Sequence, residues 1–213
     1  MVAAIGIPIS LNQVAAVFLT TYHKITHRRH LVAGIMLCIV LCFCVTVYAR
    51  PSDKDVRLIS AGLDLFSSFL AADLGIASKS DTDGRLLLVL VYRDDELRAG
   101  VLVERLKWID TIRGISVRIQ LLAVSDLETL NIDVPAGIFI SQRLDDQNLH
   151  SVIQYSIQHK VLLFSPFASD VNKGVATGIS VTDRILPYIN VKSVHESGIR
   201  LKPFFLKIAK RYE

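Results

Sequence analysis

The chain has 213 residues, of which 51% are hydrophobic, and this length suits one domain with a substantial core. Its net charge of +4 comes mostly from the first 49 residues, which contain Lys24, Arg28 and Arg29 and no acidic residue. The remainder holds 21 basic and 20 acidic residues. It therefore lacks the charge excess expected of a nucleic-acid-binding domain. The three cysteines, Cys38, Cys42 and Cys44, also lie in the first part, which excludes disulfides and thiolate chemistry from the remainder.

The N-terminal part has the order of a secretory signal. The uncharged run Leu31–Ala49 follows a basic cluster, and Val47 and Ala49 are the small residues before a predicted cleavage point. An uncleaved anchor is the alternative, because the run approaches the roughly 20 residues that cross a bilayer. The uncharged stretch Val2–Tyr22 is left unassigned. Both interpretations divide the chain into a signal or anchor at 1–49 and a periplasmic domain at 50–213, which stays tethered to the inner membrane if the segment is uncleaved.

From residue 53 onward, helical and strand patterns alternate. Apolar residues at helical spacing predict helices, and short apolar runs bounded by charge predict buried strands. The predicted elements are a helix at Asp53–Ile76, a strand at Leu86–Tyr92, a helix at Asp94–Ile112, a strand at Ser116–Val124, a turn at 125–130, a strand at Ala136–Ser141, a helix at Leu144–Gln158, a strand at Lys160–Phe164 and a loop at Ser165–Gly174. This order predicts an α/β three-layer sandwich with a mainly parallel sheet of about four strands.

The C-terminal part breaks the alternation. Val175–Val181 and Ile185–Val191 are two strand-like runs separated by three residues, which predicts a β-hairpin. Ser193 and Glu196 have the spacing of a capping box, and Gly198 is a predicted helix stop. Pro203 suits the first turn of a terminal helix that is predicted to run to Arg211.

The ends of parallel strands are where ligands bind in such sheets, so the loops after Tyr92, Val124, Ser141 and Phe164 are the candidate positions. The first loop leads into a helix that begins with Asp94, Asp95 and Glu96. Their negative charges repel a phosphate and interact favourably with the positive end of the helix dipole. A receiver-like phosphorylation site is excluded because the third strand ends in Ser141 instead of an aspartate. His150, His159 and His195 show no metal-ligand spacing. We therefore expect no catalytic residue, metal or cofactor, and a protein that is not an enzyme.

The C-terminal half resembles the YfiR-like family of periplasmic regulators. The resemblance is carried by Ile138–Ser141, Val161–Ser165, Lys173–Gly174 and the tract from Gly178 to Arg211, in which Ile189–Asn190 precede a short helix and Ser197–Ile199. It implies a non-enzymatic protein that binds the periplasmic part of an inner-membrane diguanylate cyclase or histidine kinase and represses or tunes its output, and thereby cyclic-di-GMP and biofilm formation. It also implies that Asn190 caps a helix. The mature part lacks the redox-responsive cysteines of well-studied members.

Two alternatives for the function stay open. A periplasmic small-molecule-binding subunit that feeds a sensor or transporter would use the same strand-end crevice. A regulator would instead present an interaction surface, for which Phe204, Phe205 and Tyr212 are candidates, with a homodimer as a further candidate assembly. Adjacent helical residues point about 100° apart, so Phe204 and Phe205 cannot both face the core fully.

Overall fold

In the computed structural model, residues 53–130 and 133–213 are described. The predicted signal or anchor, its cleavage residues Val47 and Ala49, and the stretch Val2–Tyr22 lie outside these ranges. Within them, no helix is long and apolar enough to cross a membrane.

Eight strands form one sheet in the described part of the chain, in the order β2-β3-β1-β4-β5-β6-β7-β8. Strands β3, β1, β4, β5 and β6 are parallel, β2 and β7 are antiparallel to their inner neighbours, and β8 is parallel to β7. The strands are β1 Leu86–Tyr92, β2 Thr111–Ile112, β3 Ile115–Ala123, β4 Gly137–Ile140, β5 Leu162–Ser165, β6 Thr177–Val181, β7 Ile185–Asn190 and β8 Lys210–Tyr212.

Helices cover the sheet on both faces, as the predicted α/β sandwich requires. They are α1 Asp53–Ala72, α2 Glu96–Leu106, α3 Asp146–Gln158, α4 Ala168–Asn172, α5 Val191–Glu196 and α6 Pro203–Ile208, with 3₁₀ helices at Ile76–Lys79 and Val124–Leu130. Right-handed crossovers place α2 and α3 on opposite faces, because β1 leads to β3 on one side and β4 leads to β5 on the other.

The core is a layer of aromatic rings between α1 and the centre of the sheet. Phe66 of α1 lies 5.6 Å from Phe139 of β4 and 5.8 Å from Phe164 of β5, between ring centroids. The Phe139 and Phe164 rings stack at 5.5 Å. All three are fully buried, and β1 is buried along six of its seven residues, as its continuous apolar sequence predicts. This packing fixes the strand ends from which the loops leave.

The predicted fold class is confirmed, and several boundaries are corrected. The second helix ends at Leu106, and Thr111–Ile112 form β2 instead of continuing it. The predicted loop at 165–174 contains α4. The terminal helix ends at Ile208, and the residues after it pair with β7 as β8, so Tyr212 lies on a strand. The sheet therefore has two strands, β2 and β8, beyond the predicted four strands and hairpin.

The capping residues near α5 are also partly corrected. Asn190 is the N-cap, and its side chain accepts a hydrogen bond from the Ser193 amide at 3.0 Å. Ser193, predicted to begin the helix, lies in its first turn, because Asn190 three residues earlier supplies the capping oxygen. The Ser193 side chain is buried. Gly198 follows the helix end with a φ of 64°, in the left-handed region that glycine adopts without strain.

Candidate functional site

The candidate site lies at the carboxyl edge of the sheet, which is the edge where β1, β3, β4 and β5 end. Strand β3 pairs with β1 on one side and β4 pairs with it on the other, so β1 and β4 flank a topological switch point. In open α/β sheets, ligands bind at such a point. The loops Arg93–Asp95 and Ser141–Asp145 meet at this point.

Hydrogen bonds tie the two loops together. The Asp94 amide donates to Gln142 Oε1 at 3.3 Å, and Gln142 Nε2 donates to the carbonyl of Asp95 at 2.9 Å. The buried Ser141 hydroxyl donates to the Val91 carbonyl at 2.7 Å. These bonds hold the end of β4 against the end of β1 and fix the two loops relative to each other.

Arg93 and Arg143 supply the positive charge of this edge, and both are already paired. Arg93 donates to Asp94 Oδ2 at 2.9 Å through Nε, and its Nη1 lies 3.8 Å from Asp145 Oδ2. The hydrogen bond to Asp94 raises the pKa of Arg93 further above its usual range. Arg143 Nη2 lies 3.1 Å from Asp55 Oδ1 of α1. The edge is thus a set of guanidinium–carboxylate pairs that are partly exposed to solvent.

The two aspartates at the helix starts have structural roles. Asp95 is the N-cap of α2 and accepts from the Arg98 amide at 3.0 Å. Asp145 is the N-cap of α3, and the hydrogen bond from the Asn148 amide lowers its pKa. Asp94, predicted to lie in the first turn of α2, precedes the helix and pairs with Arg93, because Asp95 already takes the capping position.

A buried polar cluster supports the loop after β5. The Ser165 hydroxyl donates to Asp170 Oδ2 at 2.6 Å and accepts from the Phe167 amide at 3.2 Å. Burial raises the pKa of Asp170, although the Ser165 hydrogen bond acts against this shift. Phe167 is held in place by this loop, and Arg143 lies over its ring at 4.3 Å from the centroid. The cluster therefore fixes the ring on which Arg143 stacks at the carboxyl edge.

The predicted partner-binding residues lie elsewhere and differ in exposure. Phe204 on α6 is 71% exposed, and Tyr212 on β8 is 39% exposed. Phe205 is half-buried, and its ring centroid lies 4.6 Å from that of Phe69 on α1. The structure thus separates the adjacent phenylalanines into one that packs and one that faces solvent.

Among known proteins, no family model matches the chain. A search of curated proteins likewise found no match. Among solved structures, one similar chain is the ABC domain in complex with L-Trp from Streptococcus pneumonia, at 13% identity and a TM-score of 0.51, covering 70% of this chain and 60% of that one. This likeness shows the α/β fold alone.

Two further solved structures are similar at a lower level. A conserved domain protein from Vibrio cholerae O1 biovar El Tor has 16% identity and a TM-score of 0.44, over 64% of this chain and 57% of that one. The ligand-free, open form of a substrate binding protein with adhesive properties from Clostridium difficile has 15% identity and a TM-score of 0.47, over 71% and 59%. The chain spans about three fifths of the length of these proteins.

Proposed function

We propose that the domain is a non-enzymatic, extracytoplasmic binding module that holds a small zwitterionic solute at the carboxyl edge and feeds a sensor or transporter. The observation that carries the proposal is the juxtaposition of two guanidinium–carboxylate pairs, Arg93 with Asp94 and Arg143 with Asp55, beside the switch point. Export by the predicted N-terminal signal or anchor supports a location on the far side of the membrane.

The charge pattern selects the class of solute. A ligand that carried one charge would leave a carboxylate or a guanidinium of the edge without its partner, which is costly when water is excluded. A ligand with both an ammonium and a carboxylate replaces each partner that it displaces. Amino acids have this chemistry, and a structure with the same fold binds L-Trp.

Calorimetric titration of the full chain, purified in mild detergent, tests this proposal with L-tryptophan and a panel of other L-amino acids. We expect at least one to bind, and Arg143→Ala to weaken that binding by about tenfold or more, the loss of one charge-assisted contact. Arg105→Ala is the matched control, because Arg105 is exposed near the far end of α2. Binding that is unchanged in Arg143→Ala, or absent for the whole panel, would contradict the proposal.

A second candidate function follows from the exposed Phe204. An aromatic side chain at 71% exposure on a short terminal helix suits an interaction surface, since aromatic residues are enriched in interface hot spots. The exposed Phe204 therefore supports the function that the resemblance to the YfiR-like family implies, namely regulation of an inner-membrane diguanylate cyclase or histidine kinase by binding to it. In this interpretation Phe204 enters the partner and Phe205 holds α6 on α1.

The cellular level of cyclic-di-GMP tests the second candidate. In cells that contain the diguanylate cyclase, expression of the chain should lower the level, and Phe204→Ala should abolish the effect without changing the melting temperature of the domain. Phe205→Ala serves as the contrast and should lower stability by about 1 to 3 kcal/mol, because it removes half-buried ring surface. An identical cyclic-di-GMP level with and without the chain would rule out repression of the cyclase.

A further inference from the structure

A polar cavity lies at the amino edge of the sheet, the edge where β1, β4 and β5 begin. Its volume is about 520 Å³, within the roughly 300–1,000 Å³ of small-molecule pockets. Separate segments form its walls, namely the 3₁₀ segment and turn that precede β1, the residues before β4, the end of α3, and the chain between α5 and α6. These segments are distant in sequence and converge on one space.

The acidic groups of this cavity are paired with protein cations. Asp73 is 1% exposed, and its Oδ2 lies 2.9 Å from Lys79 Nζ, while its Oδ1 accepts from the Gly75 amide at 2.9 Å. Arg118 joins the other two acids, with its Nε 3.4 Å from Asp81 and its Nη2 3.0 Å from Asp133. Three carboxylates thus face two cations, so this wall keeps one net negative charge.

Two cations of the lining are left over. Within residues 53–130 and 133–213, neither Lys160 nor Arg200 forms an ion pair. The backbone of Arg200 is fixed, because its carbonyl accepts from the Leu74 amide at 2.8 Å. Lys160 packs along Gly198, whose position for a Cβ lies 3.7 Å from Lys160 Cδ. Both residues line the cavity, and both are exposed to solvent.

The backbone of Lys160 adopts a conformation that is unusual for a lysine. Its φ is 56°, in the left-handed region, at the position after the end of α3 where glycine is the favoured residue. The Val161 amide closes the helix end by donating to the Ser156 carbonyl at 2.8 Å. The fold thus holds a lysine under backbone strain at the cavity, where glycine would relieve that strain. Such strain points to a use for the side chain.

We propose that the amino-edge cavity binds a small anion that carries a carboxylate or a phosphate group, with Lys160 and Arg200 as the residues that bind the anionic group. Neither cation has an ion-pair partner in the described part of the chain, so an anion pairs with both and displaces no existing ion pair. This site is separate from the carboxyl edge, and the proposal does not depend on the solute bound there.

Titration of the full chain with succinate and with inorganic phosphate, followed by calorimetry at low salt, tests the proposal and distinguishes the two groups. We expect at least one probe to bind with a dissociation constant below about 1 mM, and Lys160→Gly to weaken it by at least about tenfold. Arg200→Gln should weaken the same probe.

Arg184→Gly is the matched control, because Arg184 is exposed in the turn between β6 and β7, and the substitution removes one positive charge at a residue outside the cavity lining. Its affinity, and that of Arg143→Ala at the carboxyl edge, should stay within about twofold of the wild type. The proposal is overturned if neither probe binds, if Arg184→Gly weakens binding as much as Lys160→Gly, or if only Arg143→Ala weakens it.

Discussion

The two edges of the sheet carry similar residues in different states of charge compensation. At the carboxyl edge, Arg93 and Arg143 are each paired with an aspartate. At the amino edge the aspartates are paired, and Lys160 and Arg200 have no ion-pair partner among the residues that the structure describes. The number of charged residues alone therefore does not determine which ligand binds, because their pairing also matters. A ligand at the first edge has to exchange ion pairs, whereas an anion at the second edge adds to the pairs already present.

The buried pair at the amino edge should give the largest effect on stability. Asp73→Ala leaves the Lys79 ammonium, whose side chain is 17% exposed, without its carboxylate, and we expect the free energy of unfolding to fall by about 3 kcal/mol. Urea denaturation measures this. The double variant Asp73→Leu with Lys79→Met should recover most of the loss, since it removes both charges. A loss below 1 kcal/mol, roughly the value of a surface pair, would show that the pair is not a buried one.

A glycine near the carboxyl edge should give the next largest effect. A Cβ at Gly178 would lie 2.6 Å from the Ser165 carbonyl oxygen and 2.6 Å from Val171 Cγ2, so Gly178→Ala must push β6 away from β5 and α4. We expect a loss of about 1 to 3 kcal/mol from this overpacking.

Gly100 in α2 is the matched control, because no atom of the described residues would lie within 4 Å of its Cβ. Gly100→Ala should stabilise the domain by about 0.5 to 1 kcal/mol, the usual gain of alanine in a helix. Thermal unfolding compares the two variants. Equal melting temperatures for the alanine variants would contradict the close packing around Gly178.

The smallest effect should come from Lys160, and it has the opposite sign. Lys160→Gly relieves the left-handed backbone and should raise the free energy of unfolding by up to about 1 kcal/mol, even as it weakens anion binding. A stabilised variant with weaker binding distinguishes a functional lysine from a structural one. Destabilisation by Lys160→Gly would instead assign the side chain to the packing against Gly198.

The sequence predicts the centre of this fold better than its margins. Leu86–Tyr92 is predicted to the residue, because a strand buried on both faces is apolar throughout. Strand β8 escapes prediction since three residues carry no periodicity and its pairing, Tyr188 with Lys210, is distant in sequence. Helix α4 has only five residues, and the buried Asp170 and Ser165 that stabilise it read as loop residues in the sequence.

The two sites differ in the same way. The carboxyl edge follows from topology, because the ends of parallel strands meet and the loops after Tyr92 and Ser141 can be named from the strand pattern. The amino-edge cavity depends on four segments that only the folded chain brings together. One sequence signal could have drawn attention to it, namely a lysine directly after a helix where glycine is usual.

Hydrogen–deuterium exchange of the full chain, with and without the amino acid that binds best, tests the central claim most directly. A zwitterionic solute at the carboxyl edge should slow exchange in peptides that cover 93–96 and 141–146 and leave those covering 78–82 and 158–161 unchanged. Protection confined to 78–82 and 158–161, or no protection at the carboxyl edge under saturating ligand, would contradict the claim.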